Sequence, residues 1–100
     1  MKTTLCGLVL LFSVTAGQVL AADSAERGQR LAERWCSACH TIKGEGKTAT
    51  DAVRSFKTIA QRRDKDSIVA KLNSPHGSMT TDMLTSQDMR DLATFIVSQK

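Results

Sequence analysis

Hydrophobic positions in this 100-residue chain change character near residue 23. Before it, Leu5 to Val14 form a largely apolar run without a polar stripe, unlike a surface helix, which keeps one polar face. After it, apolar residues recur at helical spacing between polar, turn-forming stretches. Asp23-x-x-Glu26 reads as a capping box for a helix over about Ser24 to Trp35, with Leu31, Ala32 and Trp35 on one side. Gly28 sits inside that helix at a cost of about 1 kcal/mol relative to alanine, which points to a close packing contact. Thr41 to Thr50 is polar, carries Gly44-Glu45-Gly46 and reads as a loop. Val53, Phe56, Ile59 and Ala60 are spaced for a short helix over Asp51 to Gln61. A second short helix covers Asp66 to Leu72, with Asn73 as its stop and Pro75 just beyond. Pro75 to Leu84 is a loop, and Thr85-x-x-Asp88 then opens a helix reaching about Ser98. Met89, Leu92, Phe95 and Ile96 form the apolar face of that last helix. No strand-type alternation or internal repeat competes, so the expected class is all-α.

The first segment has a different logic. Met1-Lys2-Thr3-Thr4 is short and positive, the apolar run follows, and Thr15 to Ala22 is mostly small residues. This is the pattern of a cleaved secretory signal peptide, and it is too short for a membrane span of about 20 residues. Val19-Leu20-Ala21 fits the cleavage site, so cleavage is expected after Ala21 or Ala22. The expected organisation is residues 1–22 as signal peptide and 23–100 as one domain, with Cys6 lost in processing. Removing 22 of 100 residues leaves 78, near the size at which a polypeptide core needs a staple.

Charge narrows the partners. The chain has 14 Lys and Arg against 10 Asp and Glu. Its basic residues are scattered, apart from Gln61-Arg62-Arg63-Asp64-Lys65, which reads as a solvated helix end or loop. No basic stripe with interleaved aromatics is present, so nucleic acid is not an expected partner. The domain keeps two cysteines, Cys36 and Cys39, too few for a disulfide framework. They stand in Cys36-Ser37-Ala38-Cys39-His40, the C-x-x-C-H pattern of c-type haem attachment. Two thiols three positions apart can each add across one vinyl group, and the adjoining histidine then lies under the iron. A zinc site built from Cys36, Cys39, His40 and His76 uses suitable ligand types, and a redox dithiol is a third reading of the same cysteines. The export signal and the helical pattern weigh against both.

In its order of parts, the chain resembles the small class I c-type cytochromes over residues 23–100. An amino-terminal helix leads into C-x-x-C-H. A loop, short helices, a methionine-bearing stretch Pro75-His76-Gly77-Ser78-Met79 and a carboxy-terminal helix follow. Gly28, eight residues before Cys36, and Phe95 in the last helix match the family's glycine and aromatic. The resemblance implies four to five helices around one covalently bound haem c, with the terminal helices crossed where Gly28 meets Phe95. It implies haem contacts from Cys36, Cys39, His40 and Met79, with His40 and Met79 on the iron. Two departures stand out. Many members place a proline ten to thirteen residues after the haem histidine, and its carbonyl holds the histidine ring; here Ala52-Val53 occupies that region, and a carbonyl near Val53 would have to serve. Many also follow the ligand methionine with proline, where this chain has Thr80.

The distal ligand has three candidates. The family register, six residues before the N-cap of the last helix, selects Met79 over Met83, while His76 is a rival that would give a bis-histidine iron. Met89 belongs to the core. His/Met ligation raises the reduction potential and leaves no open coordination position. The implied function is a periplasmic, monomeric carrier of single electrons rather than an enzyme. A periplasmic dehydrogenase is the expected donor and an oxidase or another cytochrome the acceptor, with no membrane span in the mature protein. The alternative is a haem enzyme or sensor with a vacant or labile distal site.

Overall fold

The computed structural model describes Gly7, Leu11 and residues 16–44, 53–76 and 82–100. Its elements are four helices, α1 (Ala16–Trp35), α2 (Phe56–Arg62), α3 (Lys65–Leu72) and α4 (Ser86–Val97). No β-strand occurs among the described residues, and the all-α expectation holds.

Three of the four starts are fixed by local side chains. Ser55 caps α2 by accepting the Thr58 N–H at 3.2 Å. Asp64 caps α3 by accepting the Ser67 N–H at 2.8 Å. Thr85 and Asp88 make the expected reciprocal box on α4, each bond 3.0 Å long. Each such cap is worth about 1 kcal/mol, because it satisfies a backbone donor that the helix leaves unpaired. Asn73 caps the end of α3, as its position suggested.

Two boundaries differ from the sequence reading. The helix expected from Ser24 begins at Ala16, so Asp23 and Glu26 lie inside it and form no capping box. Once a turn exists, adding a residue costs little, and Ala21-Ala22 favours extension upstream. The helix expected over Asp51 to Gln61 begins at Phe56, since Ser55 takes the capping position. Val53 therefore lies in the loop before it, while Asp51 and Ala52 fall outside the described residues.

Helix α4 is the hub. Among the described residues it touches α1, α2 and α3, and no other pair of helices is in contact. Leu92 and Ala93 are fully buried on it, and Phe95, Ile96 and Met89 nearly so, giving Met89 the core position expected. The crossing with α1 is tight at Gly28. A Cβ built there would lie 2.7 Å from the Phe95 Cβ and from the Asp91 carbonyl carbon, and closer still to the Asp91 oxygen. Only a glycine lets the two backbones approach this far.

Beside that crossing lies Asp91, 2% exposed, which the sequence pattern did not single out. Its carboxylate accepts from Arg27 Nε at 3.0 Å and from Gln87 Nε2 at 2.8 Å. Burial opposes the charge, but the hydrogen bonds from Arg27 and Gln87 and the nearby guanidinium outweigh it and hold Asp91 below the usual carboxylate range.

Gly28→Ala should destabilise the haem-loaded protein by about 1–3 kcal/mol through overpacking, despite alanine's better helix propensity; an unchanged urea midpoint would show that the crossing is loose. Asp91, with its folded pKa depressed, contributes stability above its unfolded value of about 3.9 that is lost as pH falls through the folded pKa. The stability gap between the unmutated protein and Asp91→Asn should therefore narrow from about pH 5 to pH 2. A gap that stays constant over that range would refute the ionised pair.

Candidate functional site

The turn after α1 positions the cysteine motif. Backbone bonds from Cys36 N to Ala32 O, 2.9 Å, and from His40 N to Cys36 O, 2.8 Å, continue the helical winding through it. Cys36 is buried and Cys39 exposed, and both thiols are unpaired. Burial pushes the Cys36 thiol up to about 11, with Cys39 adding to the shift. Gly44, at φ +67°, turns the chain shortly after the motif in the left-handed region that glycine adopts freely.

His40 is held from behind. Its Nδ1 lies 2.6 Å from the Arg54 carbonyl oxygen. A carbonyl only accepts, so Nδ1 carries the proton and donates; in the neutral ring the lone pair is then on Nε2. Such a bond from the remote nitrogen to a backbone carbonyl is the usual means of orienting a metal-binding histidine. The Arg54 carbonyl is one residue from the position the sequence suggested. It is fixed by the Ser55 cap and by the Phe56 N–H donating to Thr41 O at 2.9 Å. Phe56 also lies against the imidazole, ring centres 5.3 Å apart, and meets Phe95 edge-on at 6.1 Å.

Cys36, Cys39 and His40 open on one cavity of about 510 Å³, within the range of small-molecule and cofactor sites. The apolar residues Trp35, Phe56, Ile59 and Leu72 line its wall. Leu92 and Phe95 pack between the helices, and Leu31 lies against that core. Val53, Ile68 and Ile96 complete the wall; Val53 was assigned to the face of a short helix and Ile96 to the apolar face of the last one, while Ile68 was not singled out. Arg34 covers the Trp35 ring at 4.8 Å. Three cationic residues, Arg54, Arg63 and Lys71, also line the cavity. The run Gln61 to Lys65 is solvent-exposed as expected, but Arg63 within it reaches the cavity edge.

The distal candidates separate. His76 lines the cavity, half-buried, with its ring centre 6.1 Å from that of His40. Burial lowers its pKa, and the charges of His40 and Lys71 add to the effect. Met83 packs partly buried against the core and is not part of the cavity wall. Met79 lies outside the described residues. Among the described residues no three His, Cys, Asp or Glu side chains group closely enough to hold a metal ion, so the four-ligand zinc site is not formed.

Comparisons with known proteins agree on one family. The model of the family described as cytochrome c matches residues 25–100. Cytochrome c-552 of Bradyrhizobium diazoefficiens is 34% identical over 93 residues, covering 91% of this chain and 88% of that protein. No solved structure matches significantly. Haem c, the group this family implies, fits the residues present: an apolar cavity of suitable size, two unpaired thiols at one edge and an imidazole presenting Nε2.

Because the acceptor for His40 is a backbone carbonyl, Arg54→Ala should leave the imidazole anchored. The Nδ1 proton should remain protected from exchange in proton NMR of the haem-loaded protein. Loss of that protection would mean that the Arg54 side chain, rather than the backbone, holds the ring.

Proposed function

The chain belongs to the cytochrome c family and carries haem c as an electron carrier, and from that premise we propose that it is an exported, monomeric His/Met carrier. In this reading residues 1–22 are the cleaved signal peptide and residues 23–100 the periplasmic domain. Cys36 and Cys39 hold the porphyrin by thioethers, His40 Nε2 is the proximal iron ligand and Met79 the distal one. The observation that carries it is the 2.6 Å bond from His40 Nδ1 to the Arg54 carbonyl beside two unpaired cysteines. It leaves one imidazole nitrogen available at the wall of an apolar cavity. Two facts support the leader. The family match begins at residue 25, and Leu20, on the upstream extension of α1, is 67% exposed.

The haem supplies a ferric/ferrous couple that accepts and returns one electron. The protein's part is binding, orientation and tuning. Trp35, Phe56, Ile59 and Leu72 keep water from the site and lower its dielectric, which disfavours the extra charge of the ferric state. A soft thioether from Met79 acts in the same direction. The His40 ring, fixed by hydrogen bond and by Phe56, keeps one orientation in both oxidation states. Arg54, Arg63 and Lys71 on the cavity lining would offer positive charge to the cofactor's carboxylates.

Partners follow from the same reading. A periplasmic dehydrogenase would deliver electrons, and an oxidase or another cytochrome would remove them through small transient contacts of less than about 1,200 Å². No helix among the described residues is long and apolar enough to cross a membrane.

Mass spectrometry of denatured, exported protein should give the polypeptide from Ala22 or Asp23 plus one haem. The oxidised protein should show the weak red-edge absorbance of sulfur bound to ferric iron. A haem-free mass after expression with a working attachment system would overturn the covalent site. Ready carbon monoxide binding by the unmutated reduced protein would favour the enzyme or sensor with an open distal position.

A further inference from the structure

One feature of the cavity has no role in a His/Met carrier: a second imidazole close to the first. His40 and His76 line the same cavity, with ring centres 6.1 Å apart and planes at 87°. Two imidazoles on opposite sides of one metal ion, each bonded at about 2 Å, hold their ring centres about 6 Å apart. The pair therefore has the separation of a bis-histidine iron site. His40 is committed through Nδ1 to Arg54, so its Nε2 is the nitrogen left for a metal. The chain around His76 is also restrained: Asn73 closes α3 three residues earlier, and Pro75 fixes the backbone immediately before it.

We propose that His76 is a reserve axial ligand, which takes the distal position on the haem iron whenever the Met79 thioether is not bound. This rests on the ligand set proposed above. The exchange is balanced: one iron–sulfur bond breaks, one iron–nitrogen bond forms, both ligands are neutral, and no electron or proton moves. A tethered imidazole so near the iron acts at an effective concentration of millimolar order or higher. The outcome is a carrier that remains six-coordinate when its thioether is lost, or is oxidised by hydrogen peroxide to the sulfoxide with release of water. It would continue to transfer electrons at a lower potential, and its iron would stay closed to peroxide and other small ligands.

The test uses the haem-loaded protein and its Met79→Ala, His76→Ala and double variants. Met79→Ala should lose the red-edge absorbance yet stay low-spin, with a bis-imidazole signature in electron paramagnetic resonance. Its reduced form should bind carbon monoxide about tenfold or more weakly than the double variant, by competition with the tethered ring. His76→Ala alone should keep the absorbance and the closed iron. Met79→Leu, which retains the side-chain volume, is read in the same way if the alanine variant does not fold. Equal carbon monoxide affinity in Met79→Ala and the double variant would overturn the reserve role while leaving Met79 as the resident ligand. Red-edge absorbance persisting in Met79→Ala would overturn Met79 itself, and the reserve role with it.

Discussion

The approach of α1 to α4 at Gly28 is the constraint on which the rest of the structure depends. A methyl group there would enter the Asp91 carbonyl and the Phe95 Cβ, so the two helices are as close as their backbones permit. That closeness matters because α4 alone connects the described helices. It also explains a buried carboxylate in a small domain. Asp91 lies on the same face of α4 as Leu92 and Phe95, where the crossing excludes water, and Arg27 from α1 supplies the matching charge. Asp91 is buried and Arg27 about half exposed, so removing the arginine would be costly because it leaves the buried carboxylate without its matching charge. The pair favours this one register of the two helices over slipped alternatives.

The crossing reaches the haem site through two aromatic rings. Phe95, seated against Gly28, meets Phe56 at 6.1 Å, and Phe56 meets His40 at 5.3 Å. The imidazole is thus located from one side by packing that begins at the helix crossing. From the other side it is located by the hydrogen bond to Arg54. This second restraint replaces the proline found in many relatives of this family. Proline stiffens the carbonyl-bearing segment by removing backbone freedom. Here the same segment is stiffened by three hydrogen bonds in sequence order: Arg54 O to His40, the Ser55 side chain to Thr58 N, and Phe56 N to Thr41 O. Either arrangement delivers one carbonyl oxygen to one ring nitrogen.

Features written in neighbouring residues were legible in the sequence. The C-x-x-C-H motif, the Thr85/Asp88 box and the Asn73 stop each depend on a few adjacent positions, and the periodicity of Met89, Leu92, Phe95 and Ile96 gave the buried face of α4. Gly28 and Phe95 were paired by family resemblance, and the structure brings them into contact. The missed features need a partner distant in the chain. Asp91 looks like surface charge until Arg27 is placed 64 residues away beside it. Arg63 and Lys71 look like solvated ends until the helices bring them to a shared cavity. The start of α1 failed for another reason: Asp23 and Glu26 have the spacing of a cap, but a helix already running from Ala16 leaves no free donors there for them to satisfy.

The placement of apolar residues bears on how folding and cofactor depend on each other. Ile68 and Leu72 on α3, Phe56 on α2 and Ile96 on α4 are buried and also line the 510 Å³ cavity. All four belong to one hydrophobic core cluster, and they also border a common space between α2, α3 and α4, where a flat apolar group held by the cysteines would meet them. Helices α2 and α3 do not touch α1; α2 meets the Cys36–His40 segment through Phe56 against His40, and the loop around Arg54 adds its hydrogen bond. A group that fills that space and is bonded at Cys36 and Cys39 would further join the two halves of the fold. Because such a group has no comparable site in the unfolded chain, its binding free energy adds directly to the stability of the folded state.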